Sequence, residues 1–366
     1  MGRQADAVAR GAHKGAGKGR LRVRRRRHAG GDGLTEAHLA AALAVPLALA
    51  IDRLGDPRDR LHPTAWMGAI AARLAPGAAR SASPRAAGAL VVALMVGAAS
   101  VPALLLVPAL WGLPWAAHAA ALLASSAILL KVSLAMRGME RGALGVAECA
   151  ERGDLGAARN ALARITKRRT GSLGRDGVLS GAIESVGDNT TDAVTGPLFY
   201  YGLLGAPGAL AYRAAGTADS MMGYRSPQLR EAGWPAASLE TALTYLPARL
   251  TGLAVVAAAA LLRLDWRGSC RVMLRDGGRT QSRNSGYAMA AMAGALGARL
   301  EKEGCYVLEG GPAAPSARDV RLAVRMMRVS SLLVAGLFSA PLAAAIHAAL
   351  YAALHAALYA PGGTLV

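Results

Sequence analysis

Residues 86–110, AAGALVVALMVGAASVPALLLVPAL, are followed directly by residues 111–136, WGLPWAAHAAALLASSAILLKVSLAM. Each is an almost uninterrupted apolar run, and each has the length that an α-helix needs to cross ~30 Å of hydrocarbon. The second run opens with a break in the apolar pattern, Trp111–Pro114, which carries no charge. The pair therefore predicts two membrane-spanning helices joined by a short turn.

Further apolar runs lie on both sides of this pair, and 53% of the chain is hydrophobic. No segment shows the sustained alternation of apolar and polar residues that indicates a β-strand. We therefore predict an all-α, polytopic integral membrane protein of the cell membrane, with five or six apolar segments and helical cytosolic loops. The additional segments are Leu39–Ile51, Leu243–Leu264, Val329–Ala360 and the weaker Ala193–Tyr212.

Polar loops separate the predicted spans, at 52–85, 137–192, 213–242 and 265–328. The third contains three basic residues, whereas the others contain six, nine and eleven, so the positive-inside tendency places the other three in the cytosol. The composition of the second loop predicts a helical hairpin turning near Gly153-Asp154. Two interpretations of Ala193–Tyr212 stay open: a full crossing, or a broken or re-entrant element that lines a cavity.

The first 28 residues hold ten of the 42 basic residues and end in RLRVRRRRH. We predict a disordered basic tail over residues 1–33, followed by a single membrane-embedded domain over 34–366. No nucleic-acid module follows the tail, so contact with anionic lipid or solvent is expected rather than nucleic-acid binding. The three cysteines share no CxxC spacing, which argues against a zinc site or a disulfide framework.

The stretch 183–202, IESVGDNTTDAVTGPLFYYG, gathers acidic and amide side chains at the edge of an apolar segment. In a helix, Glu184, Asp188 and Asp192 would lie four residues apart on one stripe, with Asn189 beside them. Carboxylate oxygens at this spacing suit Mg²⁺. We predict that the three acids are catalytic residues and tentative Mg²⁺ ligands in a cytosol-facing site. The alternative is that they only interact with a helix dipole.

Three other polar clusters contain further candidates: IDRLGDPRDRLHP at 51–63, AYRAAGTADSMMGYR at 211–225, and MLRDGGRTQSRNSGYAMAAMAGALGARL at 273–300. The first could also be a solvated turn with weak Asp/Arg pairs. The last places a basic, glycine-containing loop before a small-residue helix, where a phosphate can contact backbone N–H groups and arginines. We predict Asp219 as a further catalytic residue. The predicted substrate- or phosphate-binding residues are Asp52, Asp56, His62, Asn189, Arg225, Arg275, Arg279 and Asn284.

Taken together, the clusters resemble the cobinamide-phosphate synthase family, the CbiB/CobD membrane proteins of cobalamin biosynthesis, over about residues 48–325. DRLGDPRDRLHPTAWMG, IESVGDNTTDAVTGPLFYY, TADSMMGYR with GWPAASLETALTYLPARLT, and RDGGRTQSRNSGYAMAAMAGALGARL are similar to four family motifs and keep their order. The chain departs from the family pattern at several polar positions. These are Asp188 for Glu, Gly216 and Thr244 for Asn, Thr280 for His, Arg283 for Pro, and Met289 for Glu.

The resemblance implies an ATP-dependent ligase that joins the propionate carboxylate of adenosylcobyric acid to (R)-1-amino-2-propanol or its O-phosphate. It implies ATP as co-substrate, Mg²⁺ as cofactor, the bilayer as environment, and other cobalamin-assembly membrane enzymes as potential partners. The acids would then bind Mg²⁺ or act as the base, and Arg225, Arg275 and Arg279 would bind phosphate or the corrinoid.

Two alternatives remain open. DRLGD (52–56) and DNTTD (188–192) are compatible with an intramembrane Mg²⁺-dependent prenyltransferase. The departures from the family pattern are compatible with a non-catalytic, corrinoid-binding paralogue.

Overall fold

The structure is a computed structural model, and it describes residues 29–55, 63–110, 113–223 and 229–359. Within them, thirteen α-helices are joined by two π-helical segments and one antiparallel hairpin, which confirms the predicted helical architecture. The helices are α1 Ala29–Asp52, α2 Pro63–Ala79, α3 Pro84–Ala109, α4 Trp115–Ser133, α5 Met136–Glu151, α6 Leu155–Ala163, α7 Arg175–Thr190, α8 Gly196–Met222, α9 Arg230–Leu261, α10 Trp266–Asp276, α11 Gly286–Leu296, α12 Ala317–Val334 and α13 Ala340–Tyr359. The strands are β1 Arg299–Lys302 and β2 Tyr306–Glu309, and the π-helical segments are Thr191–Thr195 and Ala335–Ser339.

Four helical stretches of the described chain are long and apolar enough to cross a membrane, judged by length and composition: Pro84–Leu106, Ala116–Glu151, Arg230–Leu261 and Ala317–Leu350. They overlap four of the predicted apolar segments, and the prediction of a multi-pass helical membrane protein is confirmed. The second stretch consists of two helices, α4 and α5, because the backbone leaves the helical conformation at Leu134 and Ala135. Leu39–Asp52 is a shorter apolar helix.

The segment Ala193–Tyr212 is broken, as one of the two interpretations expects. Its first residues belong to the π-helical segment Thr191–Thr195, where the Gly196 N–H donates to the Thr191 carbonyl, five residues back. Further on, Gly205 interrupts α8 with φ 66° and ψ −158°. This conformation is accessible to glycine because it has no Cβ. Two separate irregularities therefore divide the segment.

The polar loops are largely helical, as predicted. α8 continues to Met222 and α9 begins at Arg230, so most of 213–242 is helix, and the apolar run Leu243–Leu264 begins inside α9. The predicted hairpin in the second loop is confirmed. Gly153 turns between α5 and α6 with φ 76°, and the Asp154 side chain caps α6 by accepting from the Ala157 N–H at 2.8 Å. At the other end, α1 begins at Ala29, earlier than the tail boundary predicted at residue 33.

Helix α7 lies inside the protein, although its composition is polar. Val178, Leu179, Ile183 and Val186 are fully buried in the main hydrophobic core, together with residues of α1, α5, α11 and α12. A smaller core joins α2, α3, α8 and α9. Because α7 packs on α5, α11, α12 and β1 at once, its acidic stripe is held within the protein.

Candidate functional site

Five carboxylates lie together where α7, the first π-helical segment, α8 and α9 meet, and we call them the acid cluster. Glu184 and Asp188 are on α7, Asp192 is in the π-helical segment, Asp219 is on α8 and Glu240 is on α9. Glu184 is close enough to disfavour the ionisation of Asp188, and Asp188, Asp219 and Glu240 are close enough to disfavour that of Asp192. The structure therefore brings together all four predicted catalytic acids, and it adds Glu240.

The electrostatics of the cluster favour protonation. The pKa of Asp188 is raised to about 6, chiefly by desolvation and to a smaller extent by the charge of Glu184, against the opposing charges of Lys167 and Lys302. Desolvation also raises the pKa of Asp192 well above its ordinary value, and the charges of Asp188 and Glu240 add to this effect. A carboxylate with a pKa near neutrality can accept and release a proton at physiological pH.

Three members of the cluster have unused oxygen atoms. Within the described part of the chain, the carboxylates of Asp188, Asp192 and Asp219 accept no hydrogen bond and form no ion pair. Partly desolvated acids without a hydrogen-bond partner are costly, and they are most often found where a ligand supplies one. This part of the cluster suits a cation, either an ammonium group or a metal ion.

Glu184 is held differently from the other acids. Its carboxylate accepts hydrogen bonds from Ser180 Oγ and Tyr306 OH, each at 2.7 Å, and Arg168 Nη1 lies 3.4 Å from both oxygens. Ser180 Oγ also accepts from the Glu301 N–H at 2.9 Å. These bonds tie α7 to the β-hairpin, which brings Lys302 close enough to stabilise the ionised forms of Glu184 and Asp188. Glu184 thus holds the β-hairpin in the position that places Lys302 beside the acid cluster.

Glu240 was missed by the sequence analysis, although a signal for it exists. It is an acid in the helical stretch Arg230–Leu261, which is long and apolar enough to cross a membrane, and an ionisable residue in such a helix is a functional candidate in its own right. Thr244 Oγ1 donates to Glu240 at 2.7 Å, and the Tyr212 hydroxyl lies 3.0 Å from the same Thr244 oxygen. This small network fixes Glu240 against α8. Lys167, Lys302 and Tyr306 were also missed.

The predicted Mg²⁺ site remains a prediction. Among the residues that the structure describes, no three His, Cys, Asp or Glu side chains converge to hold a metal ion. Mg²⁺ usually takes only one or two carboxylates and completes its shell with phosphate oxygens and water. Asp188 and Asp192 fit that requirement because their oxygens are unused, whereas Glu184 is already bonded to three side chains. Asn189 donates to the Ser185 carbonyl of its own helix at 2.9 Å.

Asp52 is part of a buried ion pair outside the acid cluster. Lys131 Nζ donates to Asp52 Oδ1 at 3.0 Å, and the Arg137 backbone N–H donates to Oδ2 at 2.9 Å. The side chain of Asp52 is fully buried. The pair joins the end of α1 to α4 and the start of α5. Three other predicted binding residues, Asp56, His62 and Arg225, lie outside the described residues.

The predicted phosphate-binding arginines surround an acid that the sequence analysis did not single out. Arg275 forms two hydrogen bonds with buried Asp276, at 2.8 and 2.6 Å, and Arg279 Nη1 lies 3.1 Å from the same carboxylate. The Glu309 N–H also donates to Asp276 at 3.1 Å. Arg275 also donates to the Glu309 carbonyl at 2.7 Å, so Arg275 and Asp276 together anchor the β-hairpin to α10, and Arg279 adds charge to the same acid. Any binding of phosphate would use the outward N–H groups of these partly exposed side chains.

Asn284 is likewise hydrogen-bonded to residues of the surrounding fold. Its amide accepts from Arg249 Nη1 at 2.8 Å and donates to the Thr241 carbonyl at 2.8 Å. The Arg249 guanidinium stacks over the rings of Tyr245 and Tyr287, with distances of 3.5 and 4.3 Å to the ring centroids. Because Asn284 is buried, it fixes the loop before α11 against α9.

The Asp276 contacts predict a pH-dependent stability. Burial alone would raise the pKa of Asp276, but hydrogen bonds from Arg275 and the Glu309 N–H lower it below the ordinary value of 3.8. A lowered folded-state pKa stabilises the protein above the unfolded-state pKa, and this stabilisation is lost as the pH falls through the folded value. We expect the difference in melting temperature between wild type and Asp276→Asn to be constant from pH 7 to 5 and to shrink below about pH 4. A difference that is independent of pH would contradict the ion-pair interpretation.

Comparison with known proteins agrees with this arrangement. The sequence model of the family described as "CobD/Cbib protein" matches residues 45–329, which contain the whole acid cluster. A probable cobalamin biosynthesis protein CobD of Methanothermobacter thermautotrophicus is 41% identical over 263 residues, covering 72% of this chain and 84% of that protein. The cobalamin biosynthesis proteins CobD of Geobacter metallireducens and Mycobacterium tuberculosis are each 39% identical, covering 75% of this chain and 84% and 87% of theirs. No solved structure matches the chain.

Proposed function

This chain belongs to the CobD/CbiB protein family of cobalamin biosynthesis, and from that premise we propose that it is an ATP-dependent amide ligase. Its substrates would be the propionate carboxylate of adenosylcobyric acid and (R)-1-amino-2-propanol or its O-phosphate. The product would be adenosylcobinamide or its phosphate. The observation that carries this proposal is the acid cluster, with its unused carboxylates beside Lys167 and Lys302.

The proposed chemistry has two steps. A propionate oxygen attacks the terminal phosphorus of ATP, so that ADP leaves and an acyl phosphate forms. The amine nitrogen then attacks the acyl carbon, inorganic phosphate leaves, and the nitrogen gives up a proton. The first step replaces a poor leaving group by phosphate, since a carboxylate oxygen cannot leave readily by itself.

The acid cluster supports the second step. An amine arrives mainly as an ammonium ion, which Asp188, Asp192 and Asp219 attract, and the ion must lose a proton before it can attack. A carboxylate whose pKa lies near neutrality, as that of Asp188 does, can take this proton. Lys167 and Lys302 supply positive charge for phosphate oxygens at the same site. If Mg²⁺ binds, Asp188 and Asp192 would hold it, and it would neutralise the phosphate charge.

The test is a single-tube reaction. Purified protein in detergent is incubated with adenosylcobyric acid, ATP, Mg²⁺ and either form of the amine, and products are identified by mass spectrometry. We expect the amide product, with one ADP released per amide, and no product when ATP or the amine is omitted. Corrinoid binding without amide would reject the ligase proposal for this chain.

A second candidate, a corrinoid-binding paralogue without activity, is favoured by one observation. Met289, where the family pattern has Glu, lies 4.0 Å from the Tyr306 hydroxyl and packs on Gly187 beside the acid cluster. Thr244, where the pattern has Asn, bonds to Glu240. The departures therefore fall on the site itself. The prenyltransferase alternative is less well supported, because Asp52 is bonded to Lys131 and the Arg137 N–H instead of facing Asp188 or Asp192.

A further inference from the structure

A second candidate site lies between α1, α12, the second π-helical segment and α13, and it shares no residue with the acid cluster. It is a groove of about 630 Å³, and two arginines stand at its mouth, Arg53 and Arg328. We call it the arginine-mouthed groove. Its walls are apolar and include Leu43, Pro46, Leu49, Leu332 and Gly336.

The mouth carries more positive charge than its internal partner neutralises. Fully buried Glu140 accepts from Arg53 Nη1 at 2.8 and 2.9 Å and from Arg328 at 2.6 and 2.7 Å, while Arg137 Nη1 lies 3.6 Å away. Among the residues that the structure describes around this mouth, three guanidinium groups therefore share one carboxylate. Arg53 and Arg328 remain 43% and 36% exposed, so the outward N–H groups of both can still bind an anion.

The groove also lies at the depth where lipid headgroups meet hydrocarbon. Arg53 directly follows the apolar helix Leu39–Asp52, and Arg328 is the last charged residue before the apolar part of Ala317–Leu350. Basic residues at the ends of apolar segments are placed at the interfacial level of a bilayer. The side chains of Leu43 and Leu332, which line the groove, are exposed on the outer surface of the protein. The groove is thus polar at one end and apolar along its length.

We propose that the arginine-mouthed groove binds an anionic phospholipid, with the phosphate at Arg53 and Arg328 and one acyl chain along the apolar wall. Charge complementarity selects this occupant, since three arginines against one glutamate favour a ligand with net negative charge. The chain's own residues 1–28 are strongly basic and would be repelled from such a mouth. A contrasting groove lined by Ala89, Val92, Val96, Gly97, Pro235 and Leu239 has only apolar walls, so it offers no site for a headgroup.

The proposal is tested by native mass spectrometry of the full chain in detergent, titrated with phosphatidylglycerol and phosphatidylcholine of identical acyl chains. The wild type should retain phosphatidylglycerol about tenfold more strongly than phosphatidylcholine. Phosphatidylglycerol has a net negative charge, whereas the positive choline group of phosphatidylcholine is repelled by the clustered arginines. Arg53→Gln should reduce that preference about fivefold, the contribution of one basic residue at headgroup level. In this variant Arg328 still neutralises Glu140.

A pair of glycine variants tests the groove independently of the charges. A Cβ added at Gly336 or at Gly97 would meet no atom within 4 Å, so both positions have open space beside the backbone into which a leucine side chain can extend. Gly336→Leu fills the arginine-mouthed groove and should reduce retention of phosphatidylglycerol, whereas Gly97→Leu fills the uncharged groove and should leave it unchanged. Equal retention of both lipids by the wild type, or identical behaviour of the two leucine variants, would overturn the proposal.

Discussion

Replacing Asp192 by asparagine is expected to reduce the rate of amide formation by about a hundredfold, because it removes a charge that attracts the ammonium ion and that would hold Mg²⁺ in the proposed reaction. The same substitution should raise the melting temperature. Desolvation and the charges of Asp188 and Glu240 raise the pKa of Asp192, which means that ionised Asp192 destabilises the folded protein at neutral pH. A neutral amide of the same shape relieves that repulsion. Loss of activity combined with a gain of stability is typical of a residue kept for function.

The matched control lies on the preceding helix. Asp176 is an exposed acid in the first turn of α7, outside the acid cluster. Asp176→Asn removes the same charge from the adjoining helix, and we expect it to retain nearly full activity. Mass-spectrometric rates and thermal unfolding in one detergent compare the two variants. An Asp192→Asn protein that keeps wild-type activity would remove Asp192 from the catalytic residues. One that unfolds at a lower temperature would show that Asp192 has a stabilising role.

Replacing Asp52 by alanine is expected to lower the free energy of unfolding by about 3–5 kcal/mol, the usual cost of removing one partner of a buried ion pair. The change takes the carboxylate away from the buried Lys131 ammonium and leaves the Arg137 N–H without its acceptor. Because the pair joins α1, α4 and α5, its loss should loosen the packing of all three. Thermal or denaturant unfolding in detergent measures the effect.

Asp52→Asn separates charge from hydrogen bonding. Asparagine keeps an oxygen for the Arg137 N–H but not the negative charge for Lys131, so its effect should fall between wild type and Asp52→Ala. Asp52 was predicted as a substrate-binding residue, and the same variants test that prediction. A stable Asp52→Asn protein with a strongly raised KM for the corrinoid would support substrate binding over the structural role.

The sequence was sufficient to predict the helical membrane architecture, because apolar runs long enough to cross the hydrocarbon of a bilayer are typical of membrane-spanning helices. It also located the turn at Gly153-Asp154, since glycine and an N-capping aspartate mark such a turn locally. The β-hairpin Arg299–Glu309 was missed. Its strands have four residues each, too short for periodicity to indicate, and they are stabilised by bonds to Ser180 and Asp276 that are distant in sequence.

The candidate site was predictable in part for a related reason. Glu184, Asp188 and Asp192 share one helical stripe, so local spacing was enough to group them, and the motif resemblance added Asp219. The roles of Arg275, Arg279 and Asn284 depend on neighbours that only the fold supplies. An arginine that pairs with a buried acid cannot be distinguished by composition from one that faces a ligand. Glu240 required the knowledge that α9 extends thirteen residues before its apolar run.

The π-helical segment Thr191–Thr195 determines how α8 is rotated about its axis relative to α7. One hydrogen-bonded turn there holds an extra residue, and each residue of an α-helix advances the direction of its side chain by about 100°. The orientation of α8 is therefore set independently of the acidic stripe on α7. In α8, Tyr201 donates to the Ala41 carbonyl and the Leu198 carbonyl accepts from Ser339. Deleting a single residue from the π-helical turn would rotate Tyr201 and Leu198 away from both partners while leaving Glu184 and Asp188 in place, so the length of this turn is itself a determinant of the fold.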